Sequence, residues 1–432
     1  MSVFIGSIPN TEKDDLKLAK RILKGKEDLR GSIDNLRENL LEILRENENL
    51  AEISEENLFL FNKGRDSIYF YLNALKLNEG DEVIVQAFTC VAVVAPILWN
   101  KLKPVYVDID SKSFNMDLSL LKEKITDKTR AIVVQHTFGN IVDMKRVKDI
   151  INEANEQRAE GEKIKIIEDS AHIFPSNFKG EYSKLGKYSD MILFSFSQDK
   201  SISSTQGAAS IILDEKVLDI AKENYSKLLK PNKKESFYNA RYIKLWSLIK
   251  KYYFTKLIPF TNITIGRVLI ILFRNLGLIK KQAKADTIEF SGIKKLSQVQ
   301  AVLLNNQLKK ISNISEKRKK ITKFYNTNLK EDFKFKTKSS LLLRYPVLLD
   351  NKREIKKKLL EKKIIAGNWY SSPVHPLTTE ELAKAQYKTG SCPVAEIVGK
   401  KILNLPTSVE VTNEDTKEIV EIVNNFANPF NI

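Results

Sequence analysis

The chain has 432 residues, 42% hydrophobic and 29% charged, with 16 Gly and 12 Pro, a make-up that excludes a disordered or fibrous protein and predicts two or three domains at roughly 100–200 residues each. Its two cysteines, Cys90 and Cys392, exclude a disulfide framework, suit no metal site, and point to a reducing, cytoplasmic setting, as does a start without the pattern of a secretion signal. The 71 basic and 54 acidic residues give a net charge of +17, but fourteen of the basic residues and one acid, Glu235, fall within residues 226–284, so the excess is regional.

Along residues 34–57, Leu and Glu recur at helical spacing without Pro or Gly, which predicts an amphipathic helix. Asn62-Lys63-Gly64-Arg65-Asp66-Ser67 then precedes a helical pattern over 68–75, placing a glycine at a helix start whose N–H groups suit a phosphate. Short Val- and Ile-rich runs follow at 82–85, 104–107, 131–135, 164–167, 191–196 and 208–213, with helical patterns between several of them. The alternation predicts a mainly parallel sheet sandwiched by helices. Residues 226–284 turn aromatic, basic and apolar and read as an insertion. A single long helix is expected over 297–329, then a smaller α+β domain. The expected division is a large α/β domain with an N-terminal helical segment (1–225), the insertion (226–284), a connecting helix (285–330) and a small C-terminal domain (331–432).

Chemistry concentrates at two strand ends. Ile164-Lys165-Ile166-Ile167-Glu168-Asp169-Ser170-Ala171-His172 finishes a buried strand on an acid and an imidazole, and the next strand runs through Ser195 to Lys200. Ligands of open α/β sheets bind beyond the carboxyl ends of strands. Asp169, His172, Ser195 and Lys200 are therefore expected to converge.

Together with Gly80-Asp81-Glu82-Val83-Ile84-Val85-Gln86-Ala87-Phe88-Thr89, Pro104-Val105-Tyr106-Val107-Asp108, Leu296-Ser297-Gln298-Val299-Gln300-Ala301 and Trp369-Tyr370-Ser371-Ser372-Pro373-Val374-His375, these segments resemble the DegT/DnrJ/EryC1/StrS family over nearly the whole chain apart from 226–284. The resemblance implies a fold-type-I transferase using pyridoxal phosphate (PLP), with no metal. PLP needs an amine for a Schiff base, which Lys200 provides, and a carboxylate beside its ring nitrogen, which Asp169 provides. The resemblance places His172 near the phenolic oxygen, Ser195 at the phosphate, and Gly64, Arg65 and Asp66 in the phosphate loop. It implies that Trp369, Tyr370 and His375 line the sugar pocket, although packing is an equal reading of His375. His136, the remaining histidine, also falls in a segment that the resemblance places around the site.

Three positions depart from the pattern. Cys90 stands where the family stacks an aromatic ring on the cofactor, leaving Phe88 or the thiol to make that contact. Ile293 and Lys295 stand where many members reach the neighbouring subunit's phosphate through Asn and Arg, so Lys295 is the remaining cation for that contact. Asp66 brings a carboxylate to a loop that holds an anion, unless it is turned away or paired with Arg65.

The implied reaction moves an amino group from an amino acid, glutamate by family habit, to a keto-sugar, nucleotide-linked, for surface polysaccharide or related glycans, in a homodimer. The alternatives are a sugar dehydratase, against which Lys200 argues, and a silent membrane-associated scaffold that keeps the fold. In the insertion, Arg267, Arg274 and Lys281 are spaced at seven residues along one stripe, and Trp246, Tyr252, Tyr253 and Phe254 would be the boundary anchors if it lies on a membrane surface. Too short and too charged to span a bilayer, the segment reads either as a membrane-surface helix or as packing within the protein or dimer. No nucleic-acid-binding motif is present, so no nucleic-acid partner is expected.

Overall fold

A computed structural model describes residues 3–4, 10–258, 261, 263–279, 285–430 and 432. After the two-residue strand β1 (Val3–Phe4) come α1 (Lys13–Leu23) and α2 (Ser32–Leu44). The helix expected through residue 57 stops at Leu44. Its Leu36, Leu40 and Leu44 stripe is buried as predicted, but Asn47 then turns inward. Its amide nitrogen donates to the Leu185 carbonyl at 2.9 Å and its oxygen accepts from the Asn49 N–H at 2.9 Å. A side chain that bonds its own backbone two residues on favours a turn over a helix.

The central sheet contains β2 (Leu58–Phe61), β3 (Glu82–Gln86), β5 (Lys103–Val107), β6 (Thr129–Gln135), β7 (Lys165–Asp169), β8 (Met191–Ser195) and β9 (Ala208–Ile212), with the short β4 (Thr89–Cys90) just past the end of β3. The order is β2-β9-β8-β7-β6-β3-β5. β5, β3, β6, β7 and β8 are parallel, and β9 is antiparallel to both its neighbours. All but β2 match the expected runs to within two residues. Both faces are buried. Val83, Val85 and Val133 pack toward α3 (Gly64–Ala74) and α4 (Val91–Trp99), while Ile84, Ile132 and Val134 pack toward α5 (Leu118–Lys124) and α6 (Met144–Asn155). Burial on both faces is why these strands read as continuous apolar runs rather than alternating ones. α7 (Glu215–Lys227) follows the sheet.

The expected insertion is not a separate body. Its first helix, α8 (Lys233–Tyr252), buries Ala240 and Ile243 against Ala19 and Ile22 of α1 and against Val299 and Leu303. Trp246 is only 4% exposed and packs with Tyr242, Ile249 and Leu269, so it is a core residue and not a membrane anchor. The second helix, α9 (Ile265–Asn275), turns Leu269, Ile270 and Phe273 toward α8 and leaves Val268, Ile271 and Leu272 exposed, joined by Leu257, Ile258, Ile263 and Leu276. Arg267 and Arg274 lie on α9, whereas Lys281 lies outside the described residues. No helix among the described residues is long and apolar enough to cross a membrane.

The single connecting helix is instead two, α10 (Gln298–Leu308) and α11 (Ile311–Asn328). At the break Lys310 leaves helical geometry (φ −111°, ψ 1°), and its ammonium lies 2.8 Å from Asp14 and 2.9 Å from Asp15 of α1. The small domain contains β10 (Arg344–Leu348), α12 (Lys352–Glu361), β11 (Ile364–Ile365), β12 (Val374–His375), α13 (Pro393–Lys401), β13 (Ile402–Pro406) and α14 (Asn413–Phe426). β10 pairs antiparallel with β13, β11 parallel with β1, and β12 parallel with β4. The β4–β12 pair sets Val374 beside Thr89 and His375 beside Cys90, which stitches the small domain to the carboxyl end of β3.

Candidate active site

The site forms where β7 and β8 end, α3 begins and β12 crosses over. Asp169 and Ser195 are the last residues of β7 and β8. Gly64 opens α3 so close to Ser195 that an added Cβ would lie 3.4 Å from the Ser195 hydroxyl. The helix start and the strand end therefore form one cradle. Beyond β8, the loop carrying Lys200 is held by Asn10, whose amide nitrogen donates to the carbonyls of Lys200 (3.1 Å) and Ser201 (2.9 Å).

Lys200 turns inward, its ammonium nitrogen 5.0 Å from the centre of the Trp369 ring. Burial lowers the amine's pKa, opposed by the nearby Asp199 and Asp169 carboxylates. A lowered amine pKa enlarges the neutral, nucleophilic fraction. Asp169 is 3% exposed, and burial raises its pKa against the pull of the Ala171 N–H, Lys200 and His136. One of its oxygens accepts from that N–H at 3.0 Å, and among the described residues the other accepts no hydrogen bond. A buried carboxylate with a free oxygen has room for a cationic partner.

His172 is fixed in one tautomer. Its Nδ1 accepts from the Phe138 N–H at 3.0 Å, which leaves Nε2–H to donate to the Tyr370 hydroxyl at 3.1 Å. Burial, with Lys200, Arg344 and His136 adding to it, holds the imidazole pKa far below its ordinary value, so the ring is a neutral donor. Around it, the rings of Phe138, Trp369 and Tyr370 lie at 5°, 16° and 23° to the imidazole with centroids 5.8–6.1 Å away.

Other expected site residues are placed differently. Phe88 is fully buried and meets Phe114, Phe138 and Tyr370, so it backs the wall and presents no face to a ligand. Tyr370 is 2% exposed with its hydroxyl on His172, which removes it from any open sugar pocket. His375 accepts at Nδ1 from the Ser371 hydroxyl at 2.9 Å, and burial lowers its pKa to about 4. Asp66 is buried toward Lys63, Arg65 and the Lys294 N–H, and burial raises its pKa to about 7, which weakens its repulsion of an anion in this loop. Cys90 lies near Arg65 and Lys200 and accepts from the Ala92 N–H at 3.4 Å. Lys295 is engaged elsewhere within the chain, donating to the Ser226 carbonyl at 3.0 Å above the Tyr225 ring. His136 sits in the core, accepting from the Val142 N–H and donating to Glu168 at 3.0 Å.

Arg344 is the residue that the sequence reading missed. It is 3% exposed, lies 3.2 Å from Asp199 and sets its guanidinium 3.3 Å from the centre of the Trp369 ring. The signal was present in Leu341-Leu342-Leu343-Arg344-Tyr345-Pro346-Val347, a cation inside an apolar run. Asn10, in contrast, has no local pattern that marks it as the clamp on residue 200.

The residues fit PLP. The Gly64–Ser195 cradle admits a phosphate against backbone N–H groups, the Asp169 carboxylate has an open position for a protonated ring nitrogen, and the inward amine of Lys200 is close enough to act electrostatically on both Asp169 and His172. With the seven-stranded sheet order, this defines a fold-type-I PLP-dependent transferase. The chain belongs to the DegT/DnrJ/EryC1/StrS aminotransferase family, whose model matches residues 48–245 and 260–424. The match breaks only at the end of α8 and the loop after it, so the resemblance extends into residues that the sequence reading set apart as 226–284.

Among similar proteins, a GDP-perosamine synthase of Escherichia coli O157:H7 is 33% identical over 156 residues, 36% of this chain and 40% of that protein. A dTDP-4-amino-4,6-dideoxy-D-glucose transaminase of Escherichia coli is 26% identical over 393 residues, 87% of each chain. The solved structure of Helicobacter pylori PseC, an aminotransferase involved in the biosynthesis of pseudoaminic acid, superposes with a TM-score of 0.67 at 20% identity and 98% coverage of both chains.

Proposed function

We propose that the protein transfers an amino group from an amino acid, glutamate in this reading, to a nucleotide-linked keto-sugar in glycan biosynthesis. The observation that carries this reading is the inward Lys200 amine beside the buried Asp169 carboxylate. The GDP- and dTDP-sugar names of its relatives support the acceptor class. PLP, when bound, supplies the electron sink that makes the carbon next to nitrogen acidic. Lys200 Nζ, its pKa lowered by burial, takes a proton and returns it. Asp169 holds positive charge at the ring nitrogen. His172, neutral and with its Nε2–H on the Tyr370 hydroxyl, is held in one orientation beside the site, and the Trp369 ring restricts water around the amine. Gly64, Arg65 and Ser195 bind the phosphate, and the enzyme acts as a homodimer.

The test is an amination screen. The purified protein is expected to be yellow, to bleach on adding glutamate, to aminate one or more nucleotide-linked keto-sugars by mass, and to have twice the mass of one chain in solution. Colour that no amino donor bleaches would instead favour a silent PLP-binding scaffold.

The outer face of α9 is proposed to rest on an anionic lipid surface, placing the enzyme at the inner face of the cytoplasmic membrane. Ile271 and Leu272 are 61% and 47% exposed, and Arg267 and Arg274 lie on the same helix within a region of strong positive charge. The native protein is expected to co-sediment with phosphatidylglycerol vesicles and not with phosphatidylcholine vesicles, and Ile271→Glu with Leu272→Glu to abolish it. Absence of binding by the native protein would end this reading.

A further inference from the structure

We propose that Trp369 supplies the flat aromatic surface against which the PLP ring rests, replacing the ring that position 90 lacks. The inference rests on the reading that this site holds PLP.

A thiol at position 90 offers little π surface, and Phe88 has no exposed surface to substitute for it. The β4–β12 pairing, with His375 set beside Cys90, brings the segment that carries Trp369 to this place. Trp369 is half-buried, with the Arg344 guanidinium against its ring, so the face turned from Arg344 is the one assigned to the cofactor. Its position relative to the reacting groups is close: the Lys200 amine is 5.0 Å from the ring centre, and the His172 ring lies nearly parallel at 5.8 Å. The proposed function has Lys200 take and return the proton, and the family resemblance sets His172 near the cofactor's phenolic oxygen.

The indole is also held. The Trp369 backbone N–H donates to the Asn404 side-chain oxygen at 2.6 Å, and the Asn404 amide donates back to the Trp369 carbonyl at 2.9 Å, which fixes the backbone from which the indole projects. Asn404 is fully buried on β13. Arg344 stacks on the indole, and Asp199, the residue before Lys200, fixes Arg344 in turn. A ring anchored through backbone and side chain loses little freedom on binding, which suits a stacking platform. The sugar-pocket role expected for Trp369 from sequence assigns the same residue to the acceptor, and the two roles separate in binding of the cofactor alone.

The experiment uses apoprotein and 4′-deoxypyridoxine 5′-phosphate, which lacks the aldehyde and so reports non-covalent binding without turnover. By calorimetry, Trp369→Ala is expected to weaken binding about three- to tenfold, the range for one aromatic contact, and Trp369→Phe to stay within about twofold of native. Cys90→Phe is expected to restore affinity in the Trp369→Ala background and to add little to the native chain, a coupling that a purely structural loss would not produce. Trp369→Leu replaces the alanine variant if circular dichroism shows that the latter is unfolded. Equal affinity of native and Trp369→Ala proteins, or no rescue by Cys90→Phe, overturns the proposal. Failure of native apoprotein to bind PLP at all would overturn the cofactor reading instead.

Discussion

Lys200→Ala is expected to yield a folded protein that lacks the shifted Schiff-base absorbance and whose amination of a keto-sugar falls by about 10⁴-fold, the upper range for removing a group that moves the proton. The amine has two duties that no neighbour can assume. Asp199 and Asp169 are carboxylates, and Arg344 stays protonated even with its pKa lowered to about 10. Lys200→Arg should fare no better, because guanidinium keeps its charge and cannot act as the neutral nucleophile. Added alkylamine should restore part of the rate to the alanine variant but none to a variant damaged in its fold. Turnover within tenfold of native in Lys200→Ala, read by product mass, would remove the aminotransferase reading.

Asp169→Asn keeps the shape and removes the charge, and it is expected to cost about 10²–10³-fold in rate, comparable to losing one preorganised electrostatic contact. The pH dependence gives a second measurement. Burial raises the carboxyl pKa above its unfolded value, so the stability it contributes is full below the unfolded pKa and is lost as pH rises through the folded one. The asparagine apoprotein should therefore melt higher than native apoprotein at alkaline pH, with the gap closing toward acid. Activity runs the opposite way. Native turnover should fall as acid protonates Asp169, while the variant, already uncharged there, should lack that limb. A native-like rate in Asp169→Asn would show that no cation needs holding at that position.

The residues that move the proton and hold the ring lie in two short runs, each a buried strand followed by its first loop residues. That is why Asp169, His172, Ser195 and Lys200 were legible: a parallel strand is apolar throughout, so the polar residues that end it stand out, and parallel strands deliver their ends to one edge. Gly64 was legible for a related reason, as a glycine at a helix start. The helix lengths were less so. Periodicity ran through Leu44 and through Lys309, yet Asn47 turned its side chain onto the backbone and Lys310 turned toward Asp14 and Asp15. Neither competing interaction follows from spacing.

By itself, the sequence determined the sheet, the acid and amine at its edge, and the family, because each rests on local periodicity or on residues close in the chain. Only the tertiary structure decided what stands near position 90, since the β4–β12 pair sets His375 beside Cys90 across 285 residues of chain and carries the Trp369 segment to the same edge. The same holds for Arg344, set between Asp199 and Trp369, and for Trp246, which lies among basic and aromatic residues that read as a surface yet is buried where α9 folds back on α8. Contacts between distant segments depend on how helices and sheets pack, and packing leaves no periodic mark on either segment alone.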